Sequence, residues 1–112
     1  YMMRIMKRRF PRVRPEADRK AVALGERLRL ARLRRGMTQA QLAARARSNR
    51  VTIARLERGE TTVTLNVLLR VLDVLALIDE IDLIAKDDLM GQVVIEDRYL
   101  NPRRAKRERP DA

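Results

Sequence analysis

Helix start and stop signals follow one another closely in the first half of the chain and leave room only for short helices. Gly36 and Gly59 stand where a helix would end in a left-handed residue. Thr38 begins a capping-box pattern with the glutamine three residues later, and Asn49 is a second N-cap residue. The spacing predicts a helix over about 19–35, a two-turn helix after Thr38, and a third helix between Asn49 and Gly59.

Each of these helices carries one narrow apolar stripe, which is typical of amphipathic helices around a small core. Aromatic residues make up only 3% of the 112 residues, so the core must be aliphatic. The chain is long enough for one small domain with extensions. The side chains predicted to face inward are Leu24, Leu28, Ala31, Leu42, Ala43, Ala46, Ile53 and Leu56.

The segment from Thr64 to about Leu77 differs because it is apolar around most of its circumference. Such a helix must be covered on more than one side. One side is expected to pack on the first three helices, and the other on a second copy of the chain. The alternative is that residues 78–90 fold back over it. The predicted dimer interface consists of Val67, Val71, Val74 and Ile78.

The following residues are acidic and predict a fifth short helix over Ile78–Asp88, with Leu77, Ile81 and Ile84 facing inward. Residues 92–95 (QVVI) have strand character. The predicted fold is therefore all-α with five helices, and a short C-terminal strand or extended segment is expected at the dimer interface.

Charge is strongly segregated along the chain. Lys and Arg outnumber Asp and Glu by 18 to 4 in residues 1–59, are outnumbered by 2 to 9 in residues 60–97, and prevail by 6 to 2 in residues 98–112. The net charge of +11 indicates a polyanionic partner, with nucleic acid first and an anionic membrane surface second. A uniformly solvated surface would not be sorted in this way.

These shifts in composition predict four regions. Whether the terminal segments contact a polyanion or only add charge is left open. The regions are a partly disordered basic arm (1–18), the helical domain (19–77), an acidic dimerisation segment (78–97) and a disordered basic tail (98–112).

Several function classes are disfavoured by composition. The chain has no Cys and no His, which removes disulfides, zinc fingers and thiol or imidazole catalysis. We find no phosphate-binding glycine loop, metal-ligand cluster or nucleophile–base pair, so no enzyme, catalytic residue, metal, cofactor or small-molecule substrate is expected. No apolar run approaches the ~20 residues of a membrane span. We therefore expect a cytoplasmic, nucleoid-associated protein, with a basic membrane-surface protein and a pure protein-interaction module as rival classes.

Two stretches together resemble the phage-repressor/Cro-like (XRE) helix-turn-helix family: LGERLRLARLRRGMTQAQLA (residues 24–43) and VTIARLERGETTVTLNVLLRVLDVLAL (residues 51–77). Each element of the signature is weak alone, but all occur in order and at the family's spacing. The resemblance covers about half of the chain. It implies a repressor-like helix-turn-helix fold, in which a short recognition helix lies in the major groove of double-stranded DNA and the preceding helix braces it.

The resemblance also implies roles for individual residues. Gln39 would open the second helix and contact the DNA backbone. Arg50, Val51, Thr52 and Arg55 are the base-reading candidates, although Arg50 or Arg55 could instead contact a phosphate. Arg32 and Glu57 match a pair that forms an ion pair between the first and third helices. The full predicted DNA-binding set is Thr38, Gln39, Arg47, Asn49, Arg50, Val51, Thr52 and Arg55.

Two positions depart from the family. The turn between the second and third helices usually holds Gly and a small apolar residue, whereas this chain has Arg47 and Ser48. An arginine is strained where φ is positive, so the turn geometry is in doubt, and an extra phosphate contact would offset the strain.

Residues 59–84 (GETTVTLNVLLRVLDVLALIDEIDLI) are similar to HipB-type antitoxins, which repress their own operon as dimers and bind a kinase-like toxin. We therefore expect a sequence-specific transcriptional regulator, acting as a homodimeric autorepressor on a palindromic operator. The alternative is an antitoxin whose main role is to bind and neutralise a HipA-like toxin.

Overall fold

A computed structural model describes residues 10–99, and this part of the chain is all-α without a strand. Residues 1–9 and 100–112 lie outside the described residues, and with them half of the predicted arm and most of the predicted tail. The chain divides into two compact units, residues 1–78 and 79–112. The helices are α1 (Pro15–Arg34), α2 (Gln39–Arg45), α3 (Arg50–Glu57), α4 (Leu65–Val74), a 3-10 helix (Ile78–Leu83) and α5 (Leu89–Tyr99).

Helix α1 begins four residues before the predicted start and takes the end of the predicted arm into the helix. Pro15 occupies its first turn, where the missing N–H is not needed and the fixed φ already suits a helix. Glu16 and Asp18 add acidic charge to the same turn. The helix ends just before Gly36, which adopts a φ of 68°.

The caps predicted at Thr38 and Asn49 are confirmed, and Thr64, where the fourth helical segment was predicted to start, also caps its helix. Thr38 and Gln41 form a reciprocal capping box, in which the Gln41 amide N–H donates to Thr38 Oγ1 over 3.0 Å. The Asn49 side chain accepts from the Thr52 amide, and Thr64 accepts from the Val67 amide. These local bonds satisfy amides that have no partner within the helix, so they fix where each helix begins.

The core of residues 10–78 is aliphatic, as predicted. The predicted inward side chains of α1, α2 and α3 are buried except Leu24, which is half-buried, and Met37 joins them. Burial of each Leu, Val or Ile stabilises the fold by about 1.5–3 kcal/mol. The largest fully buried side chains are Leu42, Ile53, Val71 and Leu75.

Helix α4 requires a correction to the predicted dimer interface. Val71 is 0% exposed and Val67 is 9% exposed, because both side chains pack into the core of their own protomer. They are therefore unavailable to a second copy. Val74 and Ile78 are half-buried and remain accessible from outside.

The predictions for residues 79–99 were wrong in two respects. The fifth short helix predicted over Ile78–Asp88 is a 3-10 helix that already ends at Leu83, and Ile84 is 71% exposed rather than inward. The predicted strand at residues 92–95 lies inside α5. Asp88 explains the second difference, because its carboxylate accepts from the Gly91 amide over 3.1 Å and starts a helix where no partner strand is present in the described chain.

No helix within residues 10–99 has the length and apolar character that crossing a membrane requires.

Candidate nucleic-acid interface

Helix α3 packs on both α1 and α2, and this leaves its N-terminal turn facing solvent. Ile53 is its fully buried anchor in the core. Arg50 is exposed and Val51 is 58% exposed, whereas Thr52 is half-buried. The side chain of Arg50 makes no hydrogen bond or ion pair with any other residue of the 10–99 range. This turn therefore presents one free guanidinium and one free apolar side chain.

The Arg32–Glu57 ion pair is present and buried, with each residue 7% exposed. Arg32 Nε donates to Glu57 Oε2 over 2.7 Å, and Arg32 Nη2 donates to Oε1 over 3.0 Å. Arg32 Nη1 donates to the Met37 carbonyl oxygen over 2.8 Å. The two parallel bonds fix the orientation of α3 against α1, because a bidentate pair tolerates little rotation.

Glu57 also accepts from α2, which the sequence did not indicate. Gln39 Nε2 donates to Glu57 Oε1 over 3.0 Å, and the Gln39 side chain is half-buried. One carboxylate thus joins α1, α2 and α3. Gln39 is oriented by this bond at the beginning of α2, the position at which a DNA contact was predicted.

Helix α1 approaches the end of α3 closely at Gly25. A Cβ atom at this position would lie 2.5 Å from the Glu57 carbonyl oxygen and 2.7 Å from that of Leu56. Both oxygens belong to the backbone and cannot move aside like a flexible side chain. The glycine at this position of the family-like stretch therefore has a steric reason: any larger residue would push α3 away from α1.

Arg55 is held within the protomer, unlike Arg50. Its Nε donates to Glu60 Oε1 over 2.9 Å, and its Nη2 donates to Thr62 Oγ1. Arg58 donates to Glu60 Oε2 over 2.7 Å. The hydrogen bond from Arg55, followed by that from Arg58, lowers the pKa of Glu60 below the ordinary glutamate value. Of the two predicted base-reading arginines, only Arg50 is unengaged in this conformation.

An open concavity of about 630 Å³ lies between α1 and α3 and includes the beginning of α2. It brings Gln39 and Arg50 together, as the predicted interface requires. Arg29 and Arg58 add two cations, and Glu26 forms a surface ion pair with Arg29. Thr38 and Asn49 are the chain neighbours of Gln39 and Arg50, but their side chains already accept capping hydrogen bonds.

In the turn between α2 and α3, Arg47 has the positive φ that was expected to strain an arginine. This residue adopts a φ of 54°, a left-handed conformation that costs an L-residue other than glycine about 1–2 kcal/mol. The Ser48 amide donates to the Ala43 carbonyl oxygen over 2.8 Å, which closes the turn. Arg70 of α4 donates from Nη1 to the Arg47 carbonyl oxygen over 2.9 Å and holds the turn from the other side.

A helix-turn-helix domain family matches residues 23–83. The chain belongs to the helix-turn-helix family. No curated protein and no solved structure matches the chain. The domain implies DNA binding, and domains of this type are typically not enzymes.

The helix-turn-helix motif consists of α2, the turn at residues 46–49 and α3, within a domain that α1 and α4 complete. In such motifs the second helix enters the major groove and the first crosses the backbone. The motif could be located from the sequence because each of its helix caps is formed by residues only three positions apart. The sequence did not indicate the bond that restrains Gln39, since Gln39 and Glu57 lie 18 residues apart in the chain. No local pattern encodes such a contact.

Proposed function

We propose that this helix-turn-helix protein is a sequence-specific double-stranded DNA-binding regulator that represses its own promoter as a homodimer on a palindromic operator. The observation that carries the proposal is the N-terminal turn of α3, where Arg50 and Val51 are exposed and have no competing intramolecular bonds within the described residues. Side chains at this end of a recognition helix are those that reach base edges.

The two side chains suit different base contacts. A guanidinium donates two parallel hydrogen bonds to O6 and N7 of guanine, and an apolar side chain packs against the methyl group of thymine. In this proposal Arg50 reads a guanine and Val51 an adjacent thymine. Thr52 is half-buried and contributes less surface, and Arg55 reaches DNA only after it leaves Glu60.

Phosphate contacts would come from the surrounding polar side chains. Gln39 retains its amide oxygen as an acceptor and one amide hydrogen as a donor after its bond to Glu57. Thr38 and Asn49 directly precede Gln39 and Arg50 in the chain. Arg29 and Arg58 line the same concavity as Gln39 and Arg50 and supply positive charge there. Contacts of this kind fix the position of the domain on the duplex without reading its sequence.

In the proposed homodimer, two copies of the chain associate through α4 and the residues that follow it. With Val67 and Val71 assigned to the core, the interface rests on Val74 and Ile78, which are half-buried within one protomer. A twofold dimer would present two α3 helices to half-sites about 34–36 Å apart along one face of the duplex.

An antitoxin is the second candidate function. The observation that favours it is the set of exposed apolar side chains between residues 83 and 95, which includes Leu83, Ile84 and Leu89. Exposed apolar side chains in such number mark a surface that another protein covers. Co-purification of a kinase-like toxin encoded beside this protein, retained after Arg50→Ala, would support this function.

The proposed DNA recognition is tested by a gel shift on DNA from the region upstream of the protein's own gene, at ~150 mM salt with excess random competitor. We expect a specific complex with a palindromic footprint, and we expect Arg50→Ala to lower its affinity by about tenfold or more, because one bidentate base contact is worth about 1–3 kcal/mol. Arg27→Ala removes an exposed arginine from α1 and serves as the charge-matched control. If the random competitor removes all binding to the upstream DNA, sequence-specific recognition is contradicted.

A further inference from the structure

The turn between α2 and α3 contains an arginine whose conformation works against the fold. Arg47 has a φ of 54°, where glycine is the only residue free of steric penalty. Its side chain is exposed and forms no hydrogen bond or ion pair with residues 10–99. Nothing that the side chain does within the described protomer offsets the strain of its backbone.

Three arginines surround a groove beside this turn. Arg45, Arg47 and Arg70 line a concavity of about 260 Å³, together with Ala46, Asp73 and Val74. Asp73 is the one acidic residue among them, and it makes no ion pair with any described arginine. The lining therefore carries two more positive than negative charges, and it has room for a group as small as a phosphate.

Arg70 fixes the shape of this groove. Its Nη1 donates to the Arg47 carbonyl oxygen over 2.9 Å, and its Nε is enclosed and has no hydrogen-bond partner in the described part of the chain. An enclosed donor without a partner is costly and is uncommon in a folded protein. Arg70 thus holds the strained turn in place and also leaves one donor unsatisfied beside the groove.

A short stretch of chain connects the groove to the proposed reading surface. Arg47 precedes Arg50 by three residues, and the turn that contains it leads directly into the exposed N-terminal turn of α3. In helix-turn-helix complexes the recognition helix lies in the major groove and the preceding helix crosses the DNA backbone, so the turn that contains Arg47 joins a groove-bound helix to a backbone-bound one.

We propose that the Arg45–Arg47–Arg70 groove binds one phosphate group of the DNA backbone, with Arg47 as the contacting cation and Arg70 as the positioning residue. This inference rests on the proposed DNA binding and adds a contact to it. Arg47 then serves binding at the expense of folding, which explains an arginine where glycine would fit the backbone better. The contact is independent of base sequence, so it acts on any duplex.

The test compares the full-length chain with Arg47→Gly and Arg47→Lys, and measures affinity against salt concentration on a random-sequence duplex of about 30 base pairs. The slope of log affinity against log salt is negative, and each lost phosphate contact lowers its magnitude by about 0.9. We expect this decrease for Arg47→Gly but not for Arg47→Lys, which keeps the charge. The thermal unfolding temperature of Arg47→Gly should equal or exceed that of the wild type, because glycine accepts a positive φ.

Arg27→Ala is the matched control, since it removes one exposed arginine from α1 at a position that does not line the groove. An unchanged slope for Arg47→Gly would overturn the phosphate site, and so would an equal decrease for Arg27→Ala. Random-sequence DNA separates this outcome from failure of the proposed regulator: if the upstream DNA shows no specific complex but the Arg47→Gly slope still falls, the groove binds phosphate and sequence-specific regulation is wrong.

Discussion

At the scale of single residues, Glu57 connects three helices of the helix-turn-helix domain. Its carboxylate accepts hydrogen bonds from Arg32 of α1 and Gln39 of α2, and it lies at the end of α3. The carboxylate is taken out of water, and the three donated hydrogen bonds compensate its desolvation. The angle of the recognition helix therefore depends on one side chain that does not itself contact DNA in our proposal.

Glu57→Ala should lower the free energy of unfolding by about 3–5 kcal/mol, because it leaves the buried Arg32 guanidinium unpaired. DNA affinity should fall with it, as α3 loses its orientation. Urea denaturation of the wild type and the variant measures the first effect. Glu26→Ala is the control: it removes an exposed ion pair with Arg29 and should cost less than about 0.5 kcal/mol. Reduced DNA binding at unchanged stability would contradict the structural role.

At the scale of elements, the domain depends on how closely α1 approaches α3. Gly25 permits the approach because it has no side chain between the helix and the backbone oxygens of Leu56 and Glu57. In an exposed helix the same glycine would be a weakness, since alanine is favoured there by about 1 kcal/mol. Because of the packing between α1 and α3, glycine is favoured over alanine at this position.

Gly25→Ala should therefore destabilise the domain by about 1–3 kcal/mol, as overpacked positions do, despite the better helix propensity of alanine. It should also weaken DNA binding, because α3 must move. Gly36→Ala is the comparison: nothing lies within 4 Å of an added Cβ there, and only the positive φ is strained. We expect Gly36→Ala to lower the unfolding temperature but to leave DNA affinity unchanged once the protein is folded. Increased stability of Gly25→Ala would show that the close approach is not required.

The elements also show which parts of the structure were readable from the sequence. The starts of α2, α3 and α4 were predictable because each is fixed by a side chain bonded to an amide three residues away. The strand predicted at residues 92–95 failed because its β-branched residues were read without the Asp88 cap before them. For the candidate nucleic-acid interface, the sequence predicted that the N-terminal turn of α3 faces outward. The restraint of Arg55 by Glu60 and Thr62 was not, because it depends on how the loop after α3 folds back.

At the scale of the whole molecule, charge separates the two compact units. Lys and Arg outnumber Asp and Glu by 19 to 6 in residues 1–78, whereas residues 79–112 contain 7 Lys or Arg and 9 Asp or Glu. A polyanion is attracted to the first region and repelled by the second. Long-range electrostatics thus favours an approach of DNA to the unit that contains α3.

The proposed homodimer is also a property of the whole molecule. Sedimentation equilibrium of the wild type should give twice the chain mass of 13.0 kDa, and Ile78→Glu should give the single-chain mass. Twofold symmetry would place both new carboxylates at one interface, where like charges repel. Leu33→Glu, which changes an exposed apolar residue of α1, should leave the dimer intact. A wild type that sediments as a single chain would exclude the symmetric model.

The free N-terminal turn of α3 has an evolutionary consequence. Arg50 and Val51 are outside the core and outside the Glu57 network, so mutations there meet no folding constraint from either. New side chains at these positions can be sampled one at a time without loss of the native state. Under the proposed DNA recognition, a duplicated copy of this gene could acquire a different sequence preference through a few point mutations, while Glu57, Gly25 and the capping residues keep the scaffold constant.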